Sequence, residues 1–190
     1  MSSSRPVSDP RNRSGRTGCP GRWKHALPRL KPCARNTFAC IRMLTRDFKE
    51  FAELLNSNRV EYLIVGGYAL AAFGHPRYTG DLDFWVGCER GNAERLLTAL
   101  GQFGFGSLGI TLQDLTSPGK VIQLGYPPNR IDLLTTIDGV EFSDCYVRRT
   151  AAAIDGVELS FISLADFKTN KRAAGRLKDL ADLESLGDGS

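Results

Sequence analysis

The sequence predicts an α/β (α+β) fold, in which a small mixed sheet is flanked by helices and preceded by a disordered basic arm. Two observations lead there. From Met43 onward, stretches with apolar residues at helical spacing alternate with short apolar runs of strand length. Charge and proline then divide the chain. Residues 1–42 hold ten Lys or Arg against the single acid Asp9, a formal +9, together with five of the nine prolines. Residues 43–190 hold fifteen basic against twenty acidic residues, a formal −5. At 190 residues the chain has the length of one ordinary domain with a real core.

The arm, residues 1–42, lacks apolar periodicity and cannot bury enough surface to offset its chain entropy, so disorder is expected there. Three readings stay open for it: a tail making non-specific phosphate contacts, an Arg- and Ser-rich targeting sequence, or residues upstream of a true start at Met43. The domain is placed at residues 43–190. Its first element is a helix from about Thr45 to Asn56, with Phe48, Phe51, Ala52 and Leu55 on one face and Thr45 as N-cap. "VEYLIVG" (Val60–Gly66) reads as a strand that runs into a short helix of small residues. "DLDFWVG" is the next strand, followed by a helix around Glu89–Gln102. After a glycine-rich connection, "KVIQLGY" and "RIDLLTTI" flank the turn "PPN" as a hairpin. "VELSFI" (Val157–Ile162) is one more strand. Ser163 and Asp166 then open a helical region to Leu186 that Gly175 breaks or bends.

No run approaches the roughly 20 apolar residues of a membrane helix, so no membrane association is expected. The five cysteines are odd in number and lack C-x-x-C spacing. That pattern speaks against a disulfide framework or zinc site and for a reducing, cytoplasmic setting. With only two histidines, a His-based metal site is not expected either.

Chemistry concentrates in "RYTGDLDFWV", Arg77 to Val86. Side chains two apart on a strand share a face, so Asp81 and Asp83 project together. Two adjacent carboxylates repel, and a hard divalent cation relieves the repulsion; Mg²⁺ takes one or two carboxylates plus substrate phosphates. Asp132 interrupts the apolar strand "RIDLL" and supplies a third carboxylate if the two strands are neighbours. The bland alternatives are polar-out alternation for Asp81 and Asp83, and an Arg130 pair for Asp132. Upstream, "VGGYALAAFG" places Gly66 and Gly67 between strand and helix, where glycines let backbone N–H groups approach a phosphate or simply make a good turn.

The order strand, Gly66-Gly67, helix, "RYTGDLDFWV" and later "RIDLL" resembles the DNA polymerase β-like nucleotidyltransferase superfamily. Within it the chain looks most like small bacterial nucleotidyltransferases of the minimal and toxin–antitoxin type. The closing segment "LADFKTNKRAAGRLKDLADLESL" adds to the likeness, which runs from about Met43 to Leu186. The resemblance implies a Mg²⁺-dependent enzyme, holding two ions, that moves a nucleoside monophosphate from a nucleoside triphosphate such as ATP to a hydroxyl. The acceptor would be RNA, protein or a small molecule, and an antitoxin would be a partner protein. Asp81, Asp83 and Asp132 would be the catalytic metal ligands, with Asp132 also the general base. Gly66 and Gly67 would hold the phosphates, and Arg77, Thr79 and Lys171 would belong to the nucleotide site.

Simpler readings stand beside these roles. Arg77 pairs with one of the two strand aspartates, Lys168, Lys171 and Lys178 form a solvated helix face, and Arg176 and Asp179 make an i, i+3 pair. Tyr68 follows Gly67 where many relatives carry a serine, so one phosphate-binding hydroxyl is missing. The rival from another class is a weak or inactive module that keeps this fold for binding. A second rival is a nucleic-acid-binding protein led by the arm.

Overall fold

The computed structural model describes residues 44–187, so the arm at 1–42 lies outside the described residues. Thr45 caps the first helix, α1 (Arg46–Ser57), by accepting from the Phe48 amide, and Phe48, Phe51, Ala52 and Leu55 form its buried stripe. Strand β1 (Tyr62–Ile64) leads directly into α2 (Gly66–Ala72), so the glycine pair forms the first turn of the helix. Strand β2 (Asp81–Val86) and helix α3 (Arg90–Gln102) follow.

The glycine-rich connection holds a short helix, α4 (Leu112–Thr116), closed by a capping box between Thr111 and Asp114. The expected hairpin is present as β3 (Val121–Leu124) and β4 (Arg130–Leu134), paired antiparallel. Next come α5 (Phe142–Val147), then β5 (Thr150–Ile154) and β6 (Val157–Phe161), a second hairpin of which only the second strand is legible from the sequence. Ser163 caps α6 (Leu164–Ala174), and Gly175, at φ +60°, ends it before α7 (Leu177–Ser185).

The six strands form one mixed sheet in the order β3-β4-β2-β1-β6-β5. Two of its pairings are parallel, β2 with β4 and β1 with β6. Along β2, Leu82, Phe84 and Val86 are fully buried on one face; on the other, Asp81 and Asp83 stay partly open, while Trp85 at the far end is buried against Phe142. Phe84 stacks edge-on against Phe51 of α1 and Tyr62 of β1. Asn92, buried on α3, ties the strand ends together: it accepts from the Glu61 amide and donates to the carbonyls of Glu61 and Gly87. No helix among the described residues is long and apolar enough to cross a membrane.

Candidate active site

Register brings the acidic residues together. In the parallel β2–β4 ladder Asp83 lies opposite Asp132, and Asp81 lies opposite Arg130. Because alternate residues share a face, Asp81, Asp83, Arg130 and Asp132 all project from one side of two internal strands. Asp132 therefore sits inside the sheet, since β3 covers its outer side. One oxygen from each of the three carboxylates falls within 4.8 Å of the others.

The three carboxylates differ in their partners. Asp81 accepts from the Thr79 hydroxyl at 2.5 Å and from an Arg130 terminal nitrogen at 2.5 Å. Asp132 accepts from Arg130 Nε at 2.7 Å, from the same Arg130 terminal nitrogen at 3.0 Å, and from the Gln123 amide at 3.2 Å. Among the described residues no hydrogen bond reaches the Asp83 carboxylate, although its backbone carbonyl accepts from the Val65 amide. Burial raises its pKa from the ordinary 3.8 to about 6; Asp81 and Asp132 push it in the same direction, and Lys178 and Lys171 oppose them.

Gly66 closes the site from below. It holds φ +63°, and a Cβ there would come within 1.9 Å of an Asp83 carboxylate oxygen. Only a residue without a side chain fits beside Asp83 in this backbone conformation. At Gly67 a Cβ would lie 2.9 Å from the Thr79 Cβ. The first hydrogen bond of α2 runs from the Ala69 amide to the Val65 carbonyl, so the amides of residues 66–68 have no partner within the helix.

These groups line one cleft of about 370 Å³, which also takes in Arg77 and Lys171. Every residue assigned to the site from the sequence borders this space. The basic residues, however, are committed to α7. Arg77 binds Asp182 through two nitrogens, at 2.7 and 3.1 Å, and not the strand aspartates. Lys171 is buried, not part of a solvated face, and its ammonium lies 2.6 Å from Asp179 and 3.1 Å from Asp182. Arg176 completes the cluster on Asp179, the i, i+3 pair expected from the sequence.

Sequence reasoning named Arg130 only as a structural partner of Asp132, a pair that is present, and passed over Asp179 and Asp182 as parts of the site. The R-x-D alternation already put Arg130 on the acidic face, but its bridge to Asp81 needs the β2–β4 register. Asp179 and Asp182, three apart on one helix, point the same way, but what they meet depends on how α7 docks.

The donor set suits a hard cation. Three carboxylate oxygens within 4.8 Å of one another can converge on an ion that binds oxygen at roughly 2.0–2.6 Å, with only small rotations. The Asp83 carboxylate, which has no direct ion pair among the described residues, would gain one from such an ion. No protein-family model and no curated protein matches the chain.

Proposed function

We propose that the protein is a Mg²⁺-dependent nucleotidyltransferase that transfers a nucleoside monophosphate from a nucleoside triphosphate to a hydroxyl on RNA, protein or a small molecule. The observation that carries this reading is the alignment of Asp81, Asp83 and Asp132 on adjacent strands, directly against the Gly66–Gly67 turn. Asp81, Asp83 and Asp132 would hold the metal, which when bound offsets phosphate charge and assists departure of pyrophosphate. Thr79 fixes the rotamer of Asp81. The free amides after Val65 meet phosphate oxygens. Asp132 takes the proton of the acceptor hydroxyl as its oxygen bonds to the α-phosphorus and the bond to pyrophosphate breaks. Fixed position and preorganised charge supply most of the rate. An antitoxin partner and cytoplasmic residence belong to the same proposal; the first rests on the resemblance alone and the second on the cysteine pattern.

One observation favours a second reading, a nucleotidyltransferase-like binding module without activity. Arg130 already pairs with two of the three carboxylates, as it would where no metal is needed. One experiment separates the two. The full chain is incubated with α-labelled nucleoside triphosphates, Mg²⁺ and cell extract, and RNA, protein and small molecules are then separated. Transfer predicts label in one fraction, and its loss in Asp83→Asn despite an unchanged circular dichroism spectrum. Tight nucleotide binding with no label anywhere identifies the binding module.

A further inference from the structure

Arg130 stands where a cation belongs. Its guanidinium takes three of the four oxygens of Asp81 and Asp132, with one terminal nitrogen bridging the two carboxylates. Those two residues come from neighbouring parallel strands, and Arg130 opens β4 directly opposite Asp81. The guanidinium is not locked in by packing, since its side chain keeps 24% of its surface exposed toward the cleft. Of the other cations lining the cleft, Arg77, Lys171 and Arg176 are held by Asp179 and Asp182, and Lys178 acts on Asp83.

A metal ion and this guanidinium compete for the same oxygens. A planar fork that binds carboxylates through two nitrogens binds phosphate oxygens equally well. Resting on the nucleotidyltransferase reading, we propose that Arg130 is an internal counter-ion that couples metal binding to triphosphate binding. In the nucleotide-free protein its single charge offsets part of that of Asp81 and Asp132 and keeps divalent cations weakly bound. A triphosphate entering beside Gly66 and Gly67 offers it a second anion, and its departure frees three carboxylate oxygens for the metal. Linkage makes the effect reciprocal: metal strengthens triphosphate binding by the factor by which triphosphate strengthens metal binding. The exchange puts a divalent charge where the single guanidinium charge stood, while Arg130 moves to the added negative charge of the phosphates. Arg130 is thus a positioning residue for two ligands rather than a fixed structural pair.

The test measures Mn²⁺ affinity by electron paramagnetic resonance, with and without a triphosphate analogue that cannot transfer its α-phosphate. The full chain is compared with Arg130→Gln and Arg130→Lys. Arg130→Gln is expected to bind Mn²⁺ about ten-fold more tightly than wild type without nucleotide and to lose the tightening that the analogue produces in wild type. Arg130→Lys is expected to fall between them, since a single ammonium cannot bridge both carboxylates in the same way. A purely structural role predicts weaker, not tighter, metal binding on removal of the arginine. Unchanged or weaker Mn²⁺ binding by Arg130→Gln, in a wild-type background that binds Mn²⁺ with the analogue, overturns the counter-ion role and leaves the proposed function standing. Absence of Mn²⁺ binding in every variant, with or without analogue, overturns both.

Discussion

Asp83 is the residue at which stability and function oppose each other. Its folded pKa of about 6 lies above the ordinary 3.8, so between those values the folded state holds more protons than the unfolded one. Stability is therefore greatest below pH 3.8 as far as this group is concerned. It falls as pH rises through 6, by on the order of 2–3 kcal/mol. Asp83→Asn removes the penalty: in EDTA, urea unfolding across pH 4–8 should show the variant gaining on wild type through that window. The same substitution should abolish Mg²⁺-dependent nucleotide binding. At Gly66 the two properties fail together. Gly66→Ala forces a Cβ onto the Asp83 carboxylate at positive φ, and should cost roughly 1–3 kcal/mol in urea unfolding while displacing that carboxylate. A calorimetric titration of this variant with Mg²⁺ and triphosphate should give no heat of specific binding.

Helix α7 shows how little an element's apolar surface says about its attachment. Leu177 is 88% exposed, whereas Asp179 and Asp182 are buried on the opposite side against Lys171, Arg77 and Arg176. Breaking a buried ion pair leaves a desolvated charge, so Asp179→Asn should destabilise by about 3 kcal/mol. Leu177→Ser should stay within about 0.5 kcal/mol. Hydrogen exchange of α7 amides distinguishes the two, with fast exchange expected only in the first. The same contrast marks what could be read from the sequence. α1, α3, the β3–β4 hairpin and the break at Gly175 carry strong local signals and are placed to within about two residues at most ends. β5 is "TAAAI", whose alanines favour helix over strand. It is a strand because β6 pairs with it from Thr150 to Ile154. α4 and α5, at five and six residues, are too short for periodicity to register. In the site, the carboxylates and glycines were legible because unusual residues interrupt apolar runs. The engagement of Arg77 and Lys171 was not, because their partners lie on a helix whose docking no local pattern specifies.

For the whole molecule, the sheet divides the work between its faces. Phe51 is fully buried, with its ring 5.4 Å from Phe84 and 5.0 Å from Phe103, on the side away from the carboxylates. Phe51→Ala should cost about 3–5 kcal/mol. Nucleotide affinity measured below the unfolding transition should be unchanged, since Phe84 and Asp83 point to opposite faces of one strand. Equilibrium unfolding combined with a binding titration checks both halves of this expectation. The division also explains how a body of net negative charge tolerates a cluster of acids: the apolar face holds β2 and β4 in register, and their neighbours β1 and β3 keep both strands internal.

The burial of Asp179 and Asp182 makes the last helix the keeper of the cleft's positive charges. Its two carboxylates hold Arg77 and Lys171 by direct contact, whereas Asp83 meets both only through space. Loss of α7 would strip both cations of these partners while leaving the three strand carboxylates in place.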